Sequence, residues 1–166
     1  MYSFILPRLQ AALWTLFSII PKELTSYSLS NQVIPDSARR AVSFASGGFT
    51  LHGFMVTPAV QKTSYMILYF HGNKESIEQY WDRMEIFYQA GIPVFIFDYR
   101  GFGMSNGTSS EESMMEDARS AVTLVQSYPQ AQQGLVLYGY SQDVFLQFIL
   151  RKSLTPSRTS IQGTRL

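Results

Sequence analysis

Apolar runs of two kinds divide the chain into predicted strands and helices. Three short, uncharged, continuous runs are typical of strands that are buried on both faces: 65–70, 94–97 and 135–138. Between these runs, apolar residues recur at helical spacing over about 75–90 and 110–128. Ahead of them, two alternating segments flank a Gly-Gly pair, which predicts a β-hairpin. Strands that alternate with amphipathic helices predict a parallel sheet with right-handed crossovers, and the hairpin adds an antiparallel edge.

The two helices carry their own start and stop signals. Ser109 or Ser110 can cap the second helix, and the glutamates that follow oppose the helix dipole. Gly91 is positioned to end the first helix. After the third run, residues 144–150 are apolar and predict one more helix.

The two ends of the chain differ from its middle. Residues 1–21 are apolar apart from Arg8, and prolines delimit a helix of about 13 residues, roughly 20 Å long against the ~30 Å of a hydrocarbon core. This segment fits a membrane anchor and a surface helix equally well, and it fits a cleaved signal peptide less well because no A-x-A-like site follows. Residues 22–39 are interpreted as a linker, and 151–166 as a basic, Ser/Thr-rich tail without regular structure. The folded domain is therefore expected over 40–150, either membrane-associated or cytoplasmic.

Composition narrows the function classes. The 166 residues are 46% hydrophobic and 15% charged, which is typical of one globular domain with a full core. A net charge of +1 without a Lys/Arg cluster in the domain argues against a nucleic-acid partner. There is no cysteine, no cluster of metal-ligand residues and no glycine-rich nucleotide loop, so we expect neither a metal nor a cofactor.

The candidate chemistry lies at the end of the third run. This run stops abruptly at Gly139-Tyr140-Ser141, and a serine on a sharp turn between a buried strand and a helix is typical of a nucleophile elbow. Such a turn exposes the hydroxyl and leaves the backbone N–H of the next residue, Gln142, free to hold an oxyanion. The alternative interpretation of Ser141 is an ordinary serine at a strand end.

Three motifs in this order resemble the α/β-hydrolase superfamily. His71-Gly72-Asn73 follows the first run, a segment beginning Asp98-Tyr99-Arg100-Gly101 follows the second, and the elbow follows the third. The resemblance covers residues 40–143 and is greatest to a subgroup of often membrane-anchored acyl-protein thioesterases, lipases and peptidase-like serine hydrolases. It implies the N-terminal half of an α/β-hydrolase sheet: an antiparallel hairpin plus three parallel strands with flanking helices.

The same resemblance implies the roles of individual residues. Ser141 would be the nucleophile, and the backbone N–H groups of Asn73 and Gln142 would form the oxyanion hole. Supporting positions would be His71, Gly72, Gly139, Asp98 and Arg100, with the last two structural. The implied substrate is a small acyl or lipid-like ester or thioester.

Two departures from the family pattern bear on activity. Asp143 stands where the elbow has its second glycine, and its charge would oppose a developing oxyanion. The family places an acid and then a histidine after the nucleophile, whereas the two histidines here, His52 and His71, both precede it. The sequence therefore favours a serine hydrolase by lineage, truncated after the elbow and weakly active or inactive as printed.

The alternative hypothesis is a non-enzymatic remnant or binding module. It would use an apolar cleft or a sheet edge exposed at Leu135 to Tyr138, and such an edge also invites self-association.

Overall fold

The computed structural model describes residues 23–30, 32–72 and 74–139, together with the backbone of 159–163. The helices predicted within 1–21 and 144–150 lie outside the described residues. Among the helices that are described, none is both long enough and apolar enough to cross a bilayer.

The predicted hairpin forms the first two strands. Strand β1 (Arg39–Ser46) pairs antiparallel with β2 (Phe49–Val56) around the turn residues Gly47 and Gly48. Their φ angles are +53° and +83°, and two positive values in a two-residue loop define the type I′ turn that matches the twist of a hairpin. A side chain at position 47 would also collide with Glu116, since a Cβ atom there would lie 2.4 Å from Glu116 Oε2.

The three apolar runs form the parallel part of the sheet. They are β3 (Met66–Phe70), β4 (Val94–Phe97) and β5 (Leu135–Gly139), and β3 pairs in parallel with each of the other two. Strand β2 joins them antiparallel to β4, so the hairpin lies at one edge and β3 in the middle. The position of the hairpin confirms the sequence-based prediction.

A sixth strand corrects the prediction for the other edge. Strand β6 (Thr159–Gly163) runs parallel to β5 and completes the strand order β1-β2-β4-β3-β5-β6. The expectation that 151–166 lacks regular structure is therefore wrong for these five residues. The expected free edge at Leu135 to Tyr138 is wrong as well, because β6 covers it. A segment with one strong apolar residue, Ile161, has little alternation from which a strand could be predicted.

Both predicted helices are present. A 3-10 helix (Ile77–Tyr80) leads directly into α1 (Trp81–Gln89), and Gly91 ends it with φ +76° while Ile92 N donates to Phe87 O. Helix α2 (Glu111–Gln126) begins at Ser110, whose side chain accepts a hydrogen bond from Ser113 N at 3.1 Å.

The core has two layers, one on each face of the sheet. Alternate residues of β3 point to opposite faces, so Met66, Leu68 and Phe70 pack under α2 while Ile67 and Tyr69 pack under α1. All five are buried, as the uncharged run predicts. Burial of each such large apolar side chain contributes roughly 1.5–3 kcal/mol, so the middle strand stabilises both layers at once.

The segment interpreted as a linker is packed against the domain. Ile34 is fully buried in the α1 layer, and Tyr27, Leu29 and Val33 pack against the same layer. A short 3-10 helix (Asp36–Ala38) then leads into β1. The described part of 22–39 thus belongs to the folded unit, although its polar composition predicts a free connection.

Candidate active site

The carboxyl ends of three parallel strands lie side by side at one end of the sheet. Phe70, the last residue of β3, is paired with Gly139, the last residue of β5, and Tyr69 is paired with Ile96 near the end of β4. The loops that follow these strands therefore leave from neighbouring points. Loops at the carboxyl ends of parallel strands are the usual location of active sites in α/β proteins, so the candidate site lies at this end of the sheet.

His71 follows β3 and is held on all sides. Its ring is fully buried, stacks on Tyr80 with centroids 5.5 Å apart, and meets the edges of Tyr99 and Phe102. Its Nδ1 atom lies 2.8 Å from the carbonyl oxygen of Gly72. A carbonyl only accepts, so Nδ1 carries the proton and donates it there. The imidazole is in this way fixed within the turn that begins the loop.

Asp98 follows β4 and joins three parts of the chain. Its Oδ2 atom accepts a hydrogen bond from the Tyr27 hydroxyl at 2.6 Å, and Oδ1 accepts one from the backbone N–H of Ile77 at 3.0 Å. His71 Nε2 also lies 3.0 Å from Oδ1, within ion-pair range but in an orientation that gives no hydrogen bond. The carboxylate is fully buried, so these contacts replace its hydration.

Gly103 allows this arrangement because it has no side chain. Its φ is +52°, and a Cβ atom there would lie 1.9 Å from Asp98 Oδ2 and 2.8 Å from the Tyr27 hydroxyl. Position 103 thus needs glycine both for its backbone and for the space that the carboxylate occupies.

Arg100 anchors the same loop to α2. Its backbone N–H donates to Asp117 Oδ2 at 2.9 Å, and its guanidinium donates to Asp117 Oδ1 at 2.6 Å and to Glu116 Oε2 at 2.8 Å. Ser46, at the end of β1, donates to Asp117 Oδ1 at 2.7 Å. The hydrogen bonds that Arg100 donates to Asp117, above all, raise the pKa of Arg100, so the guanidinium stays charged. Asp98 and Arg100 thus both hold the loop after β4, and their supporting role at the predicted site stays a prediction.

His52 lies on β2, beside the loop after β4: its carbonyl oxygen accepts a hydrogen bond from Asp98 N at 2.9 Å, and its N–H donates to Ser105 Oγ at 2.9 Å. It is half-buried on β2, and its Nδ1 atom is 3.2 Å from Ser43 Oγ on the paired position of β1. Its imidazole therefore has a side-chain partner within the hairpin.

The structure covers the supporting residues of the predicted site but not its reacting ones. Gly72 and Gly139 are buried at the ends of β3 and β5. Ser141, Gln142, Asn73 and Asp143 lie outside the described residues. The described residues therefore establish the frame of the site, and the roles of the other four positions stay predictions.

Two supporting residues were missed at the sequence level. Asp117 gave a signal, because it is an acid on the apolar stripe of α2, four residues before Ala121, and a buried acid needs a partner such as Arg100. Tyr27 gave none, because it lies in an irregular polar segment without periodicity.

Known proteins match both the sequence and the fold. The family model described as serine aminopeptidase, S33 matches residues 61–142, which contain all three motifs. The uncharacterized protein YfhR of Salmonella typhimurium is 31% identical over 111 residues, which are 64% of this chain and 38% of that protein. Protein bem46 of Schizosaccharomyces pombe is 34% identical over 77 residues, 45% of this chain and 26% of that protein. The chain thus spans well under half the length of these relatives.

Solved structures share the fold at low sequence identity. The Pyrococcus furiosus esterase Pf2001 superposes with a TM-score of 0.60 at 17% identity, over 76% of this chain and 48% of that one. A thermostable carboxyl esterase from Bacillus coagulans superposes with a TM-score of 0.53 at 23% identity, over 62% of this chain and 36% of that one. The family model over residues 61–142, the strand order and these superpositions agree, and we conclude that the chain belongs to the α/β-hydrolase superfamily.

Proposed function

We propose that the chain carries the nucleophile of a serine hydrolase that acts on an ester or thioester. In this proposal Ser141 attacks the acyl carbon, and the backbone N–H groups of Asn73 and Gln142 hold the oxyanion that forms. The observation that carries the proposal is the pairing of Phe70 with Gly139. Asn73 lies three residues beyond the first of these and Ser141 two beyond the second, so both loops begin side by side.

The acyl class of the substrate is supported from two directions. The structural neighbours Pf2001 and the B. coagulans enzyme are described as esterases. The apolar residues 1–21 favour a lipid-like acyl chain and a membrane surface nearby. The serine aminopeptidase description of the matching family makes a peptide bond the second substrate class to assay.

Both histidines have partners of their own among the described residues. Both ring nitrogens of His71 face the interior, one toward the Gly72 carbonyl and the other toward Asp98. His52 lies in the hairpin against Ser43. We propose that these 166 residues alone turn over esters slowly, because a serine that no histidine activates keeps only what the oxyanion hole and substrate binding supply, roughly 10³–10⁴ over water.

A fluorophosphonate probe tests this proposal. We expect slow covalent labelling of Ser141, abolished by Ser141→Ala and unchanged by Ser127→Ala, which alters a serine at the end of α2. Hydrolysis of short p-nitrophenyl esters should stay close to the buffer rate.

Two outcomes would contradict the proposal in different ways. Equal labelling of the chain and of Ser141→Ala would leave a non-enzymatic binding module as the better interpretation. A Ser141-dependent turnover on the order of 1 s⁻¹, typical of enzymes, would show that a base reaches the serine after all.

A further inference from the structure

We call residues 23–30 and 32–34 the N-terminal strap. The strap crosses the α1 side of the sheet, and its first residues lie beside the candidate site. Glu23 forms a β-bridge with Gly103, and Leu24 N donates to Gly103 O at 2.7 Å. Farther along, the carbonyl oxygen of Ser30 accepts a hydrogen bond from Trp81 Nε1 at 3.1 Å, and Ile34 is fully buried. The strap is therefore fastened both to the loop after β4 and to the start of α1.

Tyr27 is the strap residue that reaches the interior of the site's frame. Its ring packs edge-on against Phe54, with centroids 5.3 Å apart. Its hydroxyl donates to Asp98 Oδ2 and accepts from Met104 N at 3.2 Å. Burial raises the pKa of Tyr27 and the adjacent Asp98 raises it further, so the hydroxyl keeps the proton that it donates.

The other oxygen of Asp98 faces the loop that contains Asn73. Oδ1 accepts from the N–H of Ile77, the first residue after that loop, and lies 3.0 Å from Nε2 of His71, the residue that precedes it. Both ends of the loop thus contact one carboxylate oxygen, while the strap holds the other oxygen. A carboxylate fixed by one oxygen cannot rotate without losing its contacts at the other.

We propose that Tyr27 is a positioning residue, through which the strap sets the conformation of the loop that supplies the oxyanion-binding N–H. This inference rests on the proposed function, because it assigns a task to that loop. Without the hydroxyl, Asp98 loses its shortest hydrogen bond and can turn away from Ile77. The loop then samples conformations in which its N–H no longer meets the developing charge.

The test compares Tyr27→Phe with Tyr88→Phe. Tyr88 packs against the same core layer, and its hydroxyl takes no part in the contacts of Asp98, so the pair isolates the Tyr27 hydroxyl while both rings stay. We expect Tyr27→Phe to lower the maximal rate of fluorophosphonate labelling about tenfold, with little change in the concentration for half-maximal rate, because geometry and not binding is altered. Tyr88→Phe should stay within about twofold of the unaltered chain in the same assay.

Amide hydrogen exchange gives a second readout that needs no reaction. In Tyr27→Phe the Ile77 amide should exchange about tenfold faster, since its acceptor is loosened, while amides in the middle of α2 keep their rates. An unchanged Ile77 rate overturns the inference. A parallel acceleration of all amides overturns it too, because the hydroxyl would then act on global stability alone.

The two readouts also separate this inference from the proposed function. If Ser141 takes no label in the unaltered chain, the proposed function fails, and with it the task assigned to the loop. The exchange of Ile77 still decides whether Tyr27 controls the loop. Normal labelling in Tyr27→Phe, with Ser141 labelled in the unaltered chain, overturns the inference and leaves the proposed function intact.

Discussion

The two carboxylates on Arg100 provide a matched pair of substitutions. Asp117 and Glu116 are neighbours on α2, and each accepts from the same guanidinium nitrogen, at 2.6 Å and 2.8 Å. Their surroundings differ, because the Asp117 side chain is 0% exposed and the Glu116 side chain is 50% exposed. Asp117→Asn and Glu116→Gln therefore make the same chemical change, carboxylate to amide, in two environments.

The expected effects on the free energy of unfolding differ several-fold. Asp117→Asn leaves the buried Arg100 without its full counter-charge and turns an amide N–H₂ group toward the donors of Arg100 or Ser46. Breaking a buried pair on one side costs about 3–5 kcal/mol, and we place the isosteric change near 3 because one acceptor oxygen remains. Glu116→Gln should cost about 0.5 kcal/mol, because water screens and replaces the exposed contact.

Urea unfolding followed by circular dichroism measures both values. A loss of about 3 kcal/mol corresponds to a fall of roughly 6–12 °C in the melting temperature for a chain of this size. The slope of the free energy against urea should stay constant in both variants, since neither changes the surface exposed on unfolding. Equal effects of the two substitutions, or a loss below about 1 kcal/mol for Asp117→Asn, would refute the conclusion that burial makes the Asp117 contact the stronger one.

Three further predictions concern the site. Gly103→Ala should destabilise the fold by more than about 2 kcal/mol, since it adds a clash with Asp98 to a strained φ. Gly48→Ala has open space around it and should cost only the backbone strain, about 1 kcal/mol. Equal losses of stability in urea unfolding would contradict the clash at position 103. Above pH 10, Tyr27 ionises in the unfolded chain, whereas in the folded chain it keeps its proton. The free energy of unfolding should therefore fall by about 1.4 kcal/mol per pH unit because of Tyr27. Tyr27→Phe should remove this contribution when the free energy of unfolding is measured against pH. If the proposed function holds, Asp143→Gly should raise the labelling rate of Ser141 by up to about a hundredfold, because two charges about 6 Å apart at an effective dielectric constant of about 20 repel by roughly 3 kcal/mol. Ester turnover should stay well below about 1 s⁻¹, and turnover near that rate would show that the charge of Asp143 alone limits the reaction.

The sheet could be predicted because its signals are local and redundant. Residues 65–70 are apolar without interruption, and that pattern predicts a strand covered on both faces, as β3 is. The Gly47-Gly48 pair and the caps at Ser110 and Gly91 each depend on the backbone of only a few residues, so sequence alone identifies them.

The support of the site was harder to predict, because it depends on contacts between distant residues. Tyr27 meets Asp98 across 71 positions of the chain, and no pattern in the strap indicates which of its residues turns inward. Strand β6 was missed for a similar reason, since a strand at the edge of a sheet takes its conformation from its neighbour β5 more than from its own side chains.

The central position of β3 also implies an order in which the sheet folds. Its partner in β4 is 27 positions away, Ile67 with Val94, whereas its partner in β5 is 69 positions away, Met66 with Leu135. Closing the longer loop costs about 0.8 kcal/mol more conformational entropy, and β5 also leaves the ribosome last of the three. The hairpin, β4 and β3 can therefore assemble before β5 docks, with His71 already packed among its aromatic neighbours. Ser141 would thus reach a frame that is already folded, and a chain stalled before that step would expose the unpaired edge of β3 to pairing with another chain.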